Sequence, residues 1–296
     1  MKIFIHTAYK IVILLVILVC ENAWSQEYVD KDKYVLGVFP YLPPGNIEKI
    51  FASIASDFSK AIKKPVQLRS RRNFESFRSQ VGNAAYDIVY LQPFDYVRVA
   101  AIDNTYIPIA RFVALSDRKN SGVIKAQFVV SSDSKITNIK ELEGKTIAMS
   151  SEGAAVTLMG KLYLQKFGLI GDQNIKLRYQ GNHISCLQQV ILGKAVACVT
   201  ARPPLKLMEA KTGKRFKVLA ETPPIPSSLF AVHKNMPHQY QNMLRHEILS
   251  WTKTASGKQH LRDANIKMFI PTVDSDYDVV RVMWQQLQHN HAVVEK

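Results

Sequence analysis

The chain has 296 residues, 39 Lys and Arg against 24 Asp and Glu, and a formal net charge of +15. A hydrophobic share of 47% supports a large core and excludes a long disordered protein, while three cysteines are too few for a disulfide scaffold or a multi-zinc protein. Beyond the first 25 residues no apolar run reaches the roughly 18 residues of a membrane span, and no short repeat or low-complexity tract is visible, which excludes a polytopic membrane protein and a solenoid.

Residues 1–25 read as a signal peptide. Lys2, His6 and Lys10 form a positive region, Ile11–Cys20 (IVILLVILVC) is apolar, and Ala23 and Ser25 are small residues at the positions a signal peptidase reads. The apolar run is short for a transmembrane anchor. Lipidation at Cys20 is the rival route, disfavoured by Val19 where a small residue is wanted. A mature chain starting at Gln26 and exported rarely meets nucleic acid, so its excess base points to an anionic ligand, an anionic surface or solubility.

Tyr34–Phe39 is a short apolar run read as a buried strand, followed by a loop to Gly45. Asn46 is read as the cap of a helix whose Ile47, Ile50, Phe51, Ile54, Phe58 and Ile62 share one face. Val66–Leu68 begins a second strand, Asn73 caps a helix with Phe74, Phe77 and Val81 inward, Asp87–Leu91 is a third strand, and Pro93 opens another helix. Ile107–Ala114 is strand-like. The pattern restarts with strands at Gln127–Ser131, Thr146–Met149, Ile175–Tyr179 and Ala195–Thr200, alternating with helices at Ile139–Leu142, Ala154–Phe167 and Ile184–Leu192. Phe216–Ala220 and Leu229–His233 are two more strands, and the chain from about Gln239 reads mostly helical. Strand–helix alternation predicts parallel sheets with helices on both faces, and two successive sets predict two lobes facing across a cleft.

Cys186 and Cys198 both fall in apolar stretches of an exported chain, and a disulfide and two buried thiols both remain open. His183 with Cys186, or Ser150 and Ser151 with His183, would be needed for a hydrolase. No G-x-S-x-G elbow, H-E-x-x-H or P-loop motif accompanies them, so no catalytic residue and no metal is expected.

Four local patterns occur in order. They are Ala85–Val97 (AYDIVYLQPFDYV), Ile139–Met149 (IKELEGKTIAM), Gly181–His183 leading to Val190, Leu192 and Gly193, and Pro223–Pro226 (PPIP). From Tyr34 to about Pro271 the order of segments resembles the phosphate/phosphite/phosphonate-type periplasmic substrate-binding proteins of ABC transporters. The resemblance implies the type II periplasmic binding protein fold: α/β, two Rossmann-like lobes joined by a two-crossover hinge. Lobe one would be residues 26–122 plus 233–296 and lobe two residues 123–232, with crossings near Ser121–Gln127 and Ala231–Asn235. It further implies capture of a small anionic ligand, phosphonate-like or another oxyanion, and delivery of the closed form by a monomer to a membrane permease driven by an ATPase, with no cofactor. A sensing subunit for a membrane kinase would use the same clamp. Two departures bear on the ligand. Gly153-Ala154-Ala155-Val156 stands where the family has a Ser-Thr-Ser-Gly-like turn, and Gly193-Lys194-Ala195-Val196 carries Val where an acidic residue is often found.

Ligands of open α/β sheets bind at strand carboxyl ends and helix N-termini. That rule, with the resemblance, selects Tyr41, Gln92, Tyr96, Gly153, Ala154, Ala155, His183 and Arg202. Arg72 is taken from the cluster Arg69, Arg71 and Arg72 because a guanidinium is the best fork for an oxyanion. Tyr90 is read as facing the core, and His289 and His291 as a frayed tail.

Overall fold

A computed structural model describes residues 29–42 and 44–294. The expected signal peptide and Cys20 lie outside the described residues. The first α/β set runs β1 (Tyr34–Val38), α1 (Pro44–Ile62), β2 (Val66–Ser70), α2 (Phe74–Gly82), β3 (Ile88–Leu91), a helical turn Pro93–Asp95 that widens into a π-turn at Tyr96–Ala100, and β4 (Tyr106–Ala114). A two-residue strand β5 (Val123–Ile124) leads to the second set. That set comprises β6 (Gln127–Ser131), a 3-10 turn at Ile139–Leu142, β7 (Thr146–Met149), α3 (Ala155–Gln165), β8 (Lys176–Tyr179), α4 (His183–Ile191), β9 (Ala197–Thr200), α5 (Arg202–Thr212) and β10 (Phe216–Glu221). The chain returns through β11 (Ile225–Pro226) and β12 (Leu229–His233), then α6 (His238–Ser250), α7 (Ala255–Asp263), β13 (Ile266–Pro271) and α8 (Asp278–Val294).

Two sheets result, ordered β13-β4-β12-β3-β1-β2 and β10-β6-β9-β7-β8. Each is mixed rather than all-parallel. β1 pairs in parallel with β2 and β3, and β7 with β8 and β9, but β12 and β6 run antiparallel to their neighbours. Strand–helix alternation accounts for the parallel halves, and the reversed strands β12 and β6, both internal to their sheets, each follow a crossing. The apolar stripe of α1 (Ile47, Ile50, Phe51, Ile54, Phe58 and Ile62) is buried as its spacing requires. The helix starts at Pro44, with Asn46 inside it. Asn73 caps α2 as expected, its side chain accepting the Ser76 N–H at 2.8 Å.

The return crossing differs from expectation. Leu229–Val232 already pairs with β3, and Leu229–His233 with β4, so this strand sits inside the first sheet. The run is buried on both faces, so its composition would fit a strand in either sheet. The crossing falls upstream instead, at β11, which pairs antiparallel with β5 through Ile225 opposite Ile124 and Pro226 opposite Val123. β13 is a second difference within the stretch read as helical. It is a sheet-edge strand bonded to β4. The C-terminal segment is not frayed at His289 and His291: α8 continues through them to Val294 and lies against α3 of the other lobe, beside Leu162 and Gln165.

Cys186 of α4 and Cys198 of β9 form a disulfide, their Cα atoms 5.6 Å apart, in a core cluster with Leu187, Val190, Leu205 and Met208.

Candidate ligand-binding cleft

A cavity of about 240 Å³ lies where the strand ends of the two sheets meet. From the first lobe come Phe39 and Tyr41 after β1, Tyr90 and Gln92 at the end of β3, and Phe74 of α2; Ser150 and Ser151 after β7, Ala154 and Ala155 at the start of α3, and Asn182 and His183 at the start of α4 come from the second. None of the described lining residues is Asp, Glu, Lys or Arg.

The first-lobe wall is aromatic. Phe39 stacks on Tyr41 at 4.7 Å between ring centroids, and Tyr90 sits 5.5 Å from Phe39 and 5.3 Å from Phe51. Burial pushes the Tyr41 and Tyr90 phenols above their ordinary range. Tyr90 faces this wall as well as the core, because it is the next-to-last residue of its strand, where the sheet gives way to the cleft.

Gln92 spans the two lobes. Its carboxamide oxygen accepts the Ala155 N–H at 2.7 Å, and its nitrogen donates to the Gly153 carbonyl at 2.7 Å and to Asp95 Oδ2 at 3.0 Å. The carboxamide thus supplies the side-chain cap that Ala154 lacks. Gln92 is 3% exposed. Arg78 of α2 approaches Gly153 so closely that a Cβ there would lie 3.2 Å from its Nη1. Ser150, just upstream of the Gly153 turn, pairs with Thr157 Oγ1 at 3.2 Å. His183 Nδ1 shares a hydrogen bond with Thr200 Oγ1 at 3.0 Å, and burial lowers its pKa to about 4, so the ring is neutral near pH 7.

Tyr41, Gln92, Ala154, Ala155 and His183 are therefore brought together on one cavity. Gly153 adjoins it through its carbonyl. Three residues do not reach the cavity. Tyr96 is buried and donates to Asp274 Oδ1 at 2.6 Å, because the π-turn directs it toward the Asp274–Tyr277 segment. Arg72 is exposed on the loop after β2. Arg202 is exposed at the start of α5 and lines a neighbouring depression with Lys125 and Glu221. Sequence reasoning missed Phe39, Phe74 and Phe112; the available signal was aromatic residues ending strands or opening helices beside predicted loops.

Asp95 lies beneath Gln92 with no exposed surface, its Oδ1 3.5 Å from Arg78 Nη1. Burial raises its pKa to about 6, against the pull of Arg78 and the Gln92 bond. A folded pKa above the unfolded one favours the protonated form in the folded state. This contribution to stability is therefore present below about pH 4, declines as pH rises to about 6, and is flat above. Asp95→Asn retains an acceptor for Gln92 and removes the titration. Between those pH values the wild type is expected to lose melting temperature relative to the variant; parallel melting curves against pH would refute the assignment.

Two α/β lobes, a double crossing and a cavity between strand ends define a solute-binding protein of the type II periplasmic binding class. The chain belongs to the family described as "ABC transporter, phosphonate, periplasmic substrate-binding protein", which matches residues 36–277. It is the exported substrate-binding component of an ABC transporter, which captures a small ligand for a permease, and it is not an enzyme. Among solved structures, PhnD1 of Prochlorococcus marinus in complex with methylphosphonate is similar at a TM-score of 0.74 and 19% identity, covering 87% of this chain and 98% of that one. A binding protein of the Pseudomonas aeruginosa phosphonate transporter gives 0.72 and 15%, covering 88% and 87%. The aliphatic sulphonate binding protein SsuA of Escherichia coli gives 0.60 and 10%, covering 90% of each chain. No curated protein matches the chain.

Proposed function

We propose that the protein captures a phosphonate-class oxyanion outside the cytoplasm, after removal of residues 1–25, by closing residues 26–122 and the C-terminal segment against the intervening lobe. Tyr41, Gln92, Ala154, Ala155 and His183 form the ligand cavity. The observation that carries this reading is the Gln92 bridge, which ties the turn after β3 to the N-terminus of α3 across the cavity wall. A ligand touching both lobes binds the closed form better and shifts the population toward it. The closed form is what the permease receives. Family membership supports the phosphonate class, and the net charge of +15 favours an anion.

A melting screen of the mature chain with phosphate, phosphite, alkyl- and arylphosphonates, sulphonates, dicarboxylates and uncharged solutes tests this. A ligand at a hundred times its Kd adds about 2.7 kcal/mol, a rise of several degrees. A phosphonate is expected to give the largest rise. A screen in which only uncharged solutes shift the melt would overturn the reading.

A further inference from the structure

The cavity and its mouth differ in polarity. Its inner end is closed by the Gln92 carboxamide, which already takes the Ala155 N–H, and directly behind it the buried Asp95 faces Arg78 Nη1 at 3.5 Å. A second acid group there would find the nearby Arg78 guanidinium already facing a carboxyl. The start of α5 offers few donors to the cavity, since Pro203 and Pro204 have no N–H. His183 is neutral. Phe39, Tyr41, Phe74, Tyr90 and Phe112 form the aromatic part of the lining, and its other polar side chains, Ser150, Ser151, Asn182, Ser228 and Asn265, are uncharged.

The mouth is basic. Two surface depressions share Pro203, Asn265 and Ile266 with the cavity and continue it outward. Arg202 and Lys206 of α5 line one, and Lys258, Arg262 and Lys267 line the other, so both lobes contribute cations. Lys206 is paired with Glu209 at 2.6 Å. Among the described residues Arg202, Lys258, Arg262 and Lys267 form no ion pair. Leu115 and Leu207, 59% and 47% exposed, lie between these cations.

We propose that the ligand is a phosphonate or phosphate monoester with an aryl or cycloalkyl body, held body-first. The body fills the aromatic cavity and the acid group stays at the mouth between Arg202 and the Lys258–Arg262–Lys267 side. The size agrees: an apolar cavity of about 150 Å³ takes up benzene, and this one has about 240 Å³. A methyl group would leave most of the aromatic wall uncovered. The proposal rests on the phosphonate-class reading above and narrows it.

Calorimetric titration of the mature protein with benzylphosphonate, methylphosphonate and benzyl alcohol tests both halves. Benzylphosphonate is expected to bind at least about tenfold more tightly than methylphosphonate, because the ring removes its apolar area from water. It should also exceed benzyl alcohol by about tenfold at low ionic strength, a margin that shrinks as salt is added. Arg202→Ala combined with Lys258→Ala should narrow that margin severalfold without lowering the melting temperature, since both side chains are exposed at helix starts. Methylphosphonate binding as tightly as benzylphosphonate would overturn this proposal and leave the phosphonate reading standing. Benzyl alcohol matching benzylphosphonate would overturn the charged mouth. Neither phosphonate binding would overturn both readings. An unchanged margin in the double variant would also refute the head-outward placement.

Discussion

Gln92→Ala is expected to open the clamp. The substitution leaves the Ala155 N–H and the Gly153 carbonyl without their partner in the closed form, while in the open form water reaches both. A buried unsatisfied group costs about 2 kcal/mol, or roughly thirtyfold in the open–closed equilibrium. Apparent ligand affinity falls by up to the same factor, because only the closed population retains the ligand. Gln92→Glu is expected to be worse than alanine. A carboxylate would still accept from Ala155, but it cannot donate to the Gly153 carbonyl and would face Asp95 across the bond that now measures 3.0 Å. Small-angle scattering reads the opening as a larger radius of gyration, and calorimetry reads the affinity. A variant as compact as the wild type, with unchanged affinity, would remove Gln92 from the closing contact.

Replacing both cysteines, Cys186→Ala with Cys198→Ala, is expected to destabilise the second lobe by about 3 kcal/mol. That is the chain-entropy value for a loop of roughly this size, the two residues being 12 apart in sequence. Both sulfurs are fully buried among Leu187, Val190, Leu205 and Met208, so the variant also loses packing. The loss should be local. The disulfide fastens α4 to β9, and α4 begins at His183 on the cavity wall. Hydrogen exchange of residues 183–200 should therefore accelerate before that of β1–β3. A reductant should reproduce the effect in the wild type. A double variant melting within about one degree of the wild type would show that the link contributes little beyond the core around it.

Much of this arrangement is written into local sequence. Gln92 was accessible to reasoning because it precedes a proline that opens a helix, at the carboxyl end of a central strand, where α/β sheets present ligand groups. Ala154 and Ala155 were accessible by the same rule and by the family turn they replace. What local pattern could not decide was direction. Tyr96 follows Gln92 by four residues, but the turn widens to a π-turn there and sends its hydroxyl to Asp274, 178 residues away. Arg72 and Arg202 carry suitable chemistry at loop positions, yet neither lines the cavity, and nothing in their neighbours sets that. The strand Leu229–His233 is apolar on both faces, so its place in the first sheet follows from its pairing with β3 and β4 and not from its composition. β13 was hidden because an edge strand of alternating burial between two helices shows only a weak pattern.

The short strands β5 and β11 are bonded side by side where the chain passes from one lobe to the other and back. Two separate tethers would let the halves swivel and slide as well as swing. Backbone bonds across the pair make the tethers flex as one leaf, which leaves essentially a single bending axis. The halves then come together in the same alignment on every cycle, and the carboxamide on one side meets the amide on the other without a search.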